Sequence, residues 1–148
     1  MTAPNPKKME KYRQASLDVL IDFDGTLAEF EYPELGDPRP GALEFVQWIV
    51  DSGLRPVIWS SRMSRSHNSE AKCRAETERL RRWLKKHNFP AECSIDTGVV
   101  GKRLALCYLD DRGVACDDSV PWAQVRQRIR HIHDRETARW AEYDKENG

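Results

Sequence analysis

No stretch of this sequence approaches the ~20 consecutive apolar residues that a helix needs to cross a bilayer, so no membrane span is expected. Cysteine is sparse. Cys73, Cys93, Cys107 and Cys116 form no C-x-x-C pair, which excludes the common zinc and thiol-redox arrangements and suits reduced thiols in a cytoplasmic protein. There is no excess of charge of either sign: 24 basic and 24 acidic residues give a formal net charge of zero, so no global field marks a nucleic-acid or membrane binder. Internal repeats and low-complexity tracts are absent too. The segment Met1 to Ser16 is polar, with Pro4, Pro6, Lys7 and Lys8, and lacks the apolar core of a secretory signal. Residues 1–15 are therefore expected to be a flexible tail, and 16–148 one domain long enough to bury a real core.

What the chain does contain is an unusual first strand. Leu17 to Phe23 is apolar except for its acids, and it runs into Asp22-Phe23-Asp24-Gly25-Thr26-Leu27. An ordinary turn explains Asp24-Gly25 but not Asp22, a charge inside an apolar run that is costly to bury without a cation or hydrogen-bond donors. Two carboxylates one residue apart at a strand end suit phosphoryl chemistry, in which one attacks and the other moves a proton, and they suggest a bound Mg2+, a hard ion that prefers oxygen ligands.

Further elements alternate. Gly41 to Ser52 has Leu43, Phe45, Val46, Ile49 and Val50 at helical spacing, with Gly53 as a stop. Leu54 to Ser60 reads as the second strand. A long helix is expected over Ser69 to His87, its apolar stripe using Ala71 or Cys73, Ala75 or Thr77, then Leu80, Trp83 and Leu84. A short strand is expected near Cys93 to Ile95, a third clear one over Leu104 to Leu109, and another over Gly113 to Cys116. A last helix starts at Pro121, with Trp122, Val125, Ile129 and Ile132 on one face. By periodicity Trp48, Trp59 and Trp83 read as core. Alternating strands and helices imply an α/β fold, Rossmann-like and three-layered, around a mainly parallel sheet.

In such a sheet, ligands bind at the carboxyl ends of the strands. Three strands here end in polar groups, Asp22-Phe23-Asp24, Ser60-Ser61-Arg62 and Asp110-Asp111-Arg112, and Lys102 precedes the third. Charge is also unevenly placed: Asp22 to Asp51 holds eight acids and one base, Arg39, whereas Arg62 to Lys86 holds nine bases and three acids. That basic flank would suit an anionic substrate, though basic helix faces are more often simply solvated.

Over about Ser16 to Trp122 these motifs together resemble the haloacid dehalogenase superfamily of phosphohydrolases. The likeness rests on Asp22-Phe23-Asp24-Gly25-Thr26 and on the apolar strand ending in Asp110-Asp111-Arg112. The resemblance implies that Asp22 is a nucleophile forming an aspartyl-phosphate and that Asp24 is the general acid and base, with a raised pKa. It implies a phosphate contact from Ser60, favoured over the adjacent Ser61, and from Lys102, with Arg103 as its competitor. It implies a Mg2+ site at Asp22, the backbone carbonyl of Asp24, Asp110, and Asp111 directly or through water. Arg112 is either a substrate contact or a salt-bridge partner. Ala28 to Pro40 is too short for the cap domain that such proteins often carry, so a capless or minimally capped, open site is expected. The implied activity is Mg2+-dependent hydrolysis of a phosphomonoester, a small molecule in preference to nucleic acid. The alternatives are a nucleic-acid end (3'-phosphate) phosphatase, or a catalytically silent phosphate-binding domain of the same fold. A receiver-type signalling domain fits less well, because its phosphoacceptor lies on a middle strand.

Overall fold

The computed structural model of the chain describes residues 3, 5–97 and 102–148. Its elements are α1 (Pro6–Ala15), β1 (Asp18–Ile21), α2 (Ala42–Asp51), β2 (Arg55–Ile58), a 3-10 turn (Ser61–Met63), α3 (Glu70–Lys86), β3 (Ser94–Ile95), β4 (Cys107–Leu109) and α4 (Trp122–Asn147). The strands form one sheet in the order β3-β2-β1-β4, every pairing parallel. The fold is therefore α/β and Rossmann-like, as the alternation of elements implies. Among the described residues no helix is long and apolar enough to cross a membrane.

β1 sits between β2 and β4, in register Ile21↔Ile58 and Ile21↔Leu109. Its four residues are all buried, the pattern of a central parallel strand. Val19, Ile21 and Ile58 share one core with Val46 and Ile49 of α2 and with Leu80, Trp83 and Leu84 of α3, while Leu20 and Val57, on the other face, are buried as well. Phe23, just past β1, meets Trp83 edge-on at 4.8 Å between ring centroids, and Trp83 stacks on Phe89 at 5.1 Å.

The caps of α3 follow the sequence closely. Ser69 accepts a hydrogen bond from the Lys72 N–H, and Lys85 and Lys86 close the last turn, where cations suit the helix dipole. Of the alternatives along its stripe, the buried ones are Cys73 and Thr77.

Three expectations are corrected. Residues 6–15 form a helix rather than a loose tail: Asn5 caps it and Pro6 opens it, yet none of its side chains is buried, so burial periodicity carries no trace of it. Trp48 is 57 % exposed. Ala42, Val46 and Ile49 form the buried face of α2, and Phe45 and Trp48, about 100° per residue away, stack on each other outside it at 6.0 Å. Gly113 to Cys116 is not a strand, since its residues find no pairing partner and Gly113, Ala115 and Cys116 lie exposed. The chain divides into two compact units, Met1–Asp111 with the sheet and Arg112–Gly148 with α4.

Within the second unit α4 starts after Pro121 and runs 26 residues. Glu136 is its charge hub, accepting from Arg112 at 2.8 Å, Arg139 at 2.7 Å and Arg135 at 3.2 Å. Of the apolar face expected on α4, Val125 is buried and Ile132 half-buried, while Trp122 and Ile129 are exposed.

Candidate active site

The register of the sheet builds the site. One residue past β1, the Asp22 N–H donates to the Leu109 carbonyl at 2.8 Å, extending the ladder beyond the strand and bringing Asp22 level with Asp110. Gly25 then adopts φ 77°, a conformation costly for residues with a Cβ, and the turn returns to bond Ala28 N–H to the Phe23 carbonyl at 3.0 Å. The next residue ties this turn to the end of β4: Thr26 Oγ1 accepts from the Asp111 N–H at 3.0 Å.

Asp22, Asp110 and Asp111 consequently each offer a carboxylate oxygen, all within 4.8 Å of one another. The electrostatic result is visible at Asp22, whose carboxyl is raised from 3.8 to about 8 by burial first and by the nearby charge of Asp110 next, against a hydrogen bond from the Phe23 N–H. Three converging oxygen donors could hold a metal ion, and oxygen ligands of this kind fit a hard divalent cation such as Mg2+.

Asp24, two residues on, faces elsewhere. Arg62, at the end of β2, grips its carboxylate with both prongs, Nε to Oδ2 at 2.6 Å and Nη2 to Oδ1 at 2.7 Å. The Arg62 side chain is only 2 % exposed. Burial works against its charge, but Asp24 and then Glu76 more than offset this and raise its pKa. Asp24 is thus held in an ion pair, and the carboxyl driven upward is that of Asp22.

The residues implied as phosphate contacts have partners of their own. Ser60 is buried, and its Oγ accepts from the Arg62 N–H at 3.2 Å, the role of a turn cap. Ser61 is exposed, its carbonyl accepting from Asn68 at 3.3 Å. Lys102 is exposed, with Nζ 5.3 Å from the centroid of the Tyr108 ring. Its competitor Arg103 is a structural cation joining Asp96 at 2.6 Å and Asp18 at 2.8 Å. Arg112 takes the salt-bridge alternative, through Glu136. All four cysteines are free thiols.

Arg62 is placed by the sequence at the polar end of the second strand and at the head of a basic run, but its pairing with Asp24 is not anticipated. A signal was available: eight acids against one base over Asp22 to Asp51 call for a cation from elsewhere in the chain.

No protein-family model matches the chain, and no curated protein matches it. A solved structure of a conserved protein from Bacteroides thetaiotaomicron is similar at a TM-score of 0.48 and 22% identity, over 78% of this chain and 90% of that one. A likeness of that size says nothing about activity.

Proposed function

We propose that the chain is a Mg2+-dependent phosphatase that hydrolyses a phosphomonoester through an aspartyl-phosphate on Asp22, in the manner of the haloacid dehalogenase superfamily. The observation that carries this reading is the convergence of Asp22, Asp110 and Asp111 at the carboxyl ends of two paired parallel strands, within the D-x-D-G-T and Asp-Asp-Arg motifs. Asp22, Asp110 and Asp111 would hold the ion. When bound, Mg2+ supplies positive charge that offsets repulsion between the carboxylates and a phosphate anion.

In the first step an Asp22 oxygen attacks phosphorus, the new P–O bond forms, and the ester oxygen leaves with its electron pair and takes a proton from Asp24. In the second, water attacks the same phosphorus while Asp24 takes its proton, and the Asp22 carboxylate is released. A two-step route of this kind divides one hard displacement into two easier ones. A small substrate is favoured over a nucleic-acid end, because the formal net charge is zero and three of the seven basic side chains of α3 are already paired with its own acids, Arg74 with Glu70, Arg79 with Glu76 and Arg81 with Glu78.

One observation favours a second reading. The Arg62 grip on Asp24 suits a domain that accepts or binds phosphate without turning it over. Radiolabelled acetyl phosphate with Mg2+ separates the two. The phosphatase reading expects a label on Asp22, abolished in Asp22→Asn, together with many phosphates released per protein; a stoichiometric label with no further release supports the silent domain. Neither label nor release, or full activity in excess chelator, refutes the phosphatase.

A further inference from the structure

A guanidinium carries five N–H donors in a fixed fork, and Arg62 uses all of them. Nε and Nη2 take the two oxygens of Asp24. The second Nη2 proton goes to the Glu34 carbonyl at 2.8 Å. Nη1 donates to the Pro33 carbonyl at 2.9 Å and to Glu76 at 3.2 Å. The Tyr32 ring covers the fork, its centroid 4.8 Å from Cζ.

The loop that Arg62 holds is the interval in which related proteins would carry a cap. It is pinned at other points too. Glu29 N–H donates to the Asp37 carbonyl at 2.8 Å, and Trp83 Nε1 donates to the Gly36 carbonyl at 2.8 Å. At Gly36 a Cβ would lie 2.2 Å from the Glu29 carbonyl oxygen, so only glycine permits this close approach. On the far side, the other Glu76 oxygen is taken by Arg79 at 2.9 Å. Asp24, the loop and α3 are thus joined through one side chain.

A buried ion pair is seldom the cheapest way to stabilise a core, since apolar replacements of similar volume often do as well. Its specific gift is geometry: two prongs fix both oxygens of a carboxylate in one plane. Resting on the phosphatase reading, we infer that Arg62 is a positioning residue, holding the Asp24 carboxylate in the orientation from which it takes the proton of the attacking water, with the 29–38 loop as a fixed wall behind it. Arg62 acts through Asp24.

The discriminating readout is the balance between formation and breakdown of the phosphoenzyme. Arg62→Lys keeps the charge but loses the fork, and Glu76→Gln keeps the fork while loosening its anchor to α3. Each is compared with the parent by quench after mixing with radiolabelled acetyl phosphate and Mg2+, with folding checked by circular dichroism. Positional errors near 1 Å cost up to ~100-fold in rate, so Arg62→Lys is expected to slow breakdown about 10- to 100-fold, with formation changed less than about threefold, so that label accumulates. Glu76→Gln is expected to shift the same balance by a smaller factor, and it decides the matter if Arg62→Lys does not fold. A folded variant in which formation and breakdown fall together, or in which neither changes, overturns the positioning role and leaves the phosphatase reading standing. A parent protein that neither labels nor turns over removes both.

Discussion

Replacing Asp22 with Asn should stabilise the metal-free protein while ending its chemistry, and the size of the effect follows from the acid cluster. In the folded chain the Asp22 carboxyl is raised from 3.8 to about 8, by burial and then by Asp110. Below about pH 4 the folded and unfolded chains both hold this proton. Between about pH 4 and 8 the unfolded chain releases it while the folded one keeps it, so the group makes stability fall as pH rises, and the loss levels off above about pH 8. Each unit is worth about 1.4 kcal/mol, which bounds the loss at pH 7 at roughly 4 kcal/mol. Asp110 is exposed, so water reaches part of the cluster, which reduces the expected gain from Asp22→Asn to about 1–3 kcal/mol. For a chain of this size that is a rise of roughly 3–10 °C in Tm. Thermal unfolding of both proteins in chelator at several pH values checks it. The difference between them isolates this one group from the other titrations: it should grow from pH 5 to pH 8 and shrink when Mg2+ is added, because the ion stabilises the parent more than the variant. A difference that stays at zero, or that reverses as pH rises, would refute the proposed electrostatics of the cluster.

Asp110→Ala should raise the Mg2+ concentration required for turnover or abolish activity, and Ca2+ should inhibit the parent, since its longer and looser coordination disturbs in-line geometry; a Mg2+ titration of initial rates reads both. Asp24→Asn should slow breakdown of the aspartyl-phosphate and leave a trapped label after quench, whereas parent-like turnover would show that the Arg62–Asp24 pair is only structural. Neutralising Arg79, Arg81 and Arg82 together should leave the salt dependence of KM for a 3'-phosphorylated oligonucleotide unchanged, because Arg79 and Arg81 already have acidic partners on their own helix; a flattened salt slope would instead favour a nucleic-acid end as substrate. Loss of the exposed Arg81–Glu78 pair should itself cost no more than about 1 kcal/mol, read by chemical denaturation.

How far the sequence carries depends on the range over which each feature is determined. α3 is legible almost to the residue because its caps, Ser69 and the terminal lysines, and its stripe are local. β1 is legible because an apolar run ends in a Gly turn. Convergence of Asp22 with Asp110 is legible at one remove, since the parallel order of strands implies a common edge. The failures have the opposite character. α1 is held by an Asn-Pro start without any buried face, so hydrophobic periodicity is blind to it. α2 carries two apolar stripes, and only the tertiary fold decides that Val46 and Ile49 are covered while Phe45 and Trp48 are not. The Arg62 bonds reach partners 14 to 38 positions away in the chain, a range over which no spacing rule operates.

The two acids of the opening motif end with different partners, and that division follows from backbone geometry. Asp22 still belongs to the ladder, bonded to Leu109, so its carboxyl is delivered toward Asp110 and Asp111, where neighbouring charge is negative and a proton or a cation must supply the balance. Past Phe23 the chain leaves the sheet, and the turn at Gly25 directs Asp24 to the end of β2, where Arg62 supplies the balance from within the protein. A nucleophile needs an exchangeable counter-charge, because the substrate phosphate must enter beside it. A proton-transferring carboxylate needs a fixed orientation, and a saturated guanidinium provides one without occupying the phosphate position. Placing two carboxyls in such unlike surroundings is how one short motif can supply two chemical roles. On this view Arg62 and the metal are complementary parts of one charge arrangement, so loss of either should harm a different half of the reaction: Asp110→Ala the formation of the phosphoenzyme, and Arg62→Lys its breakdown.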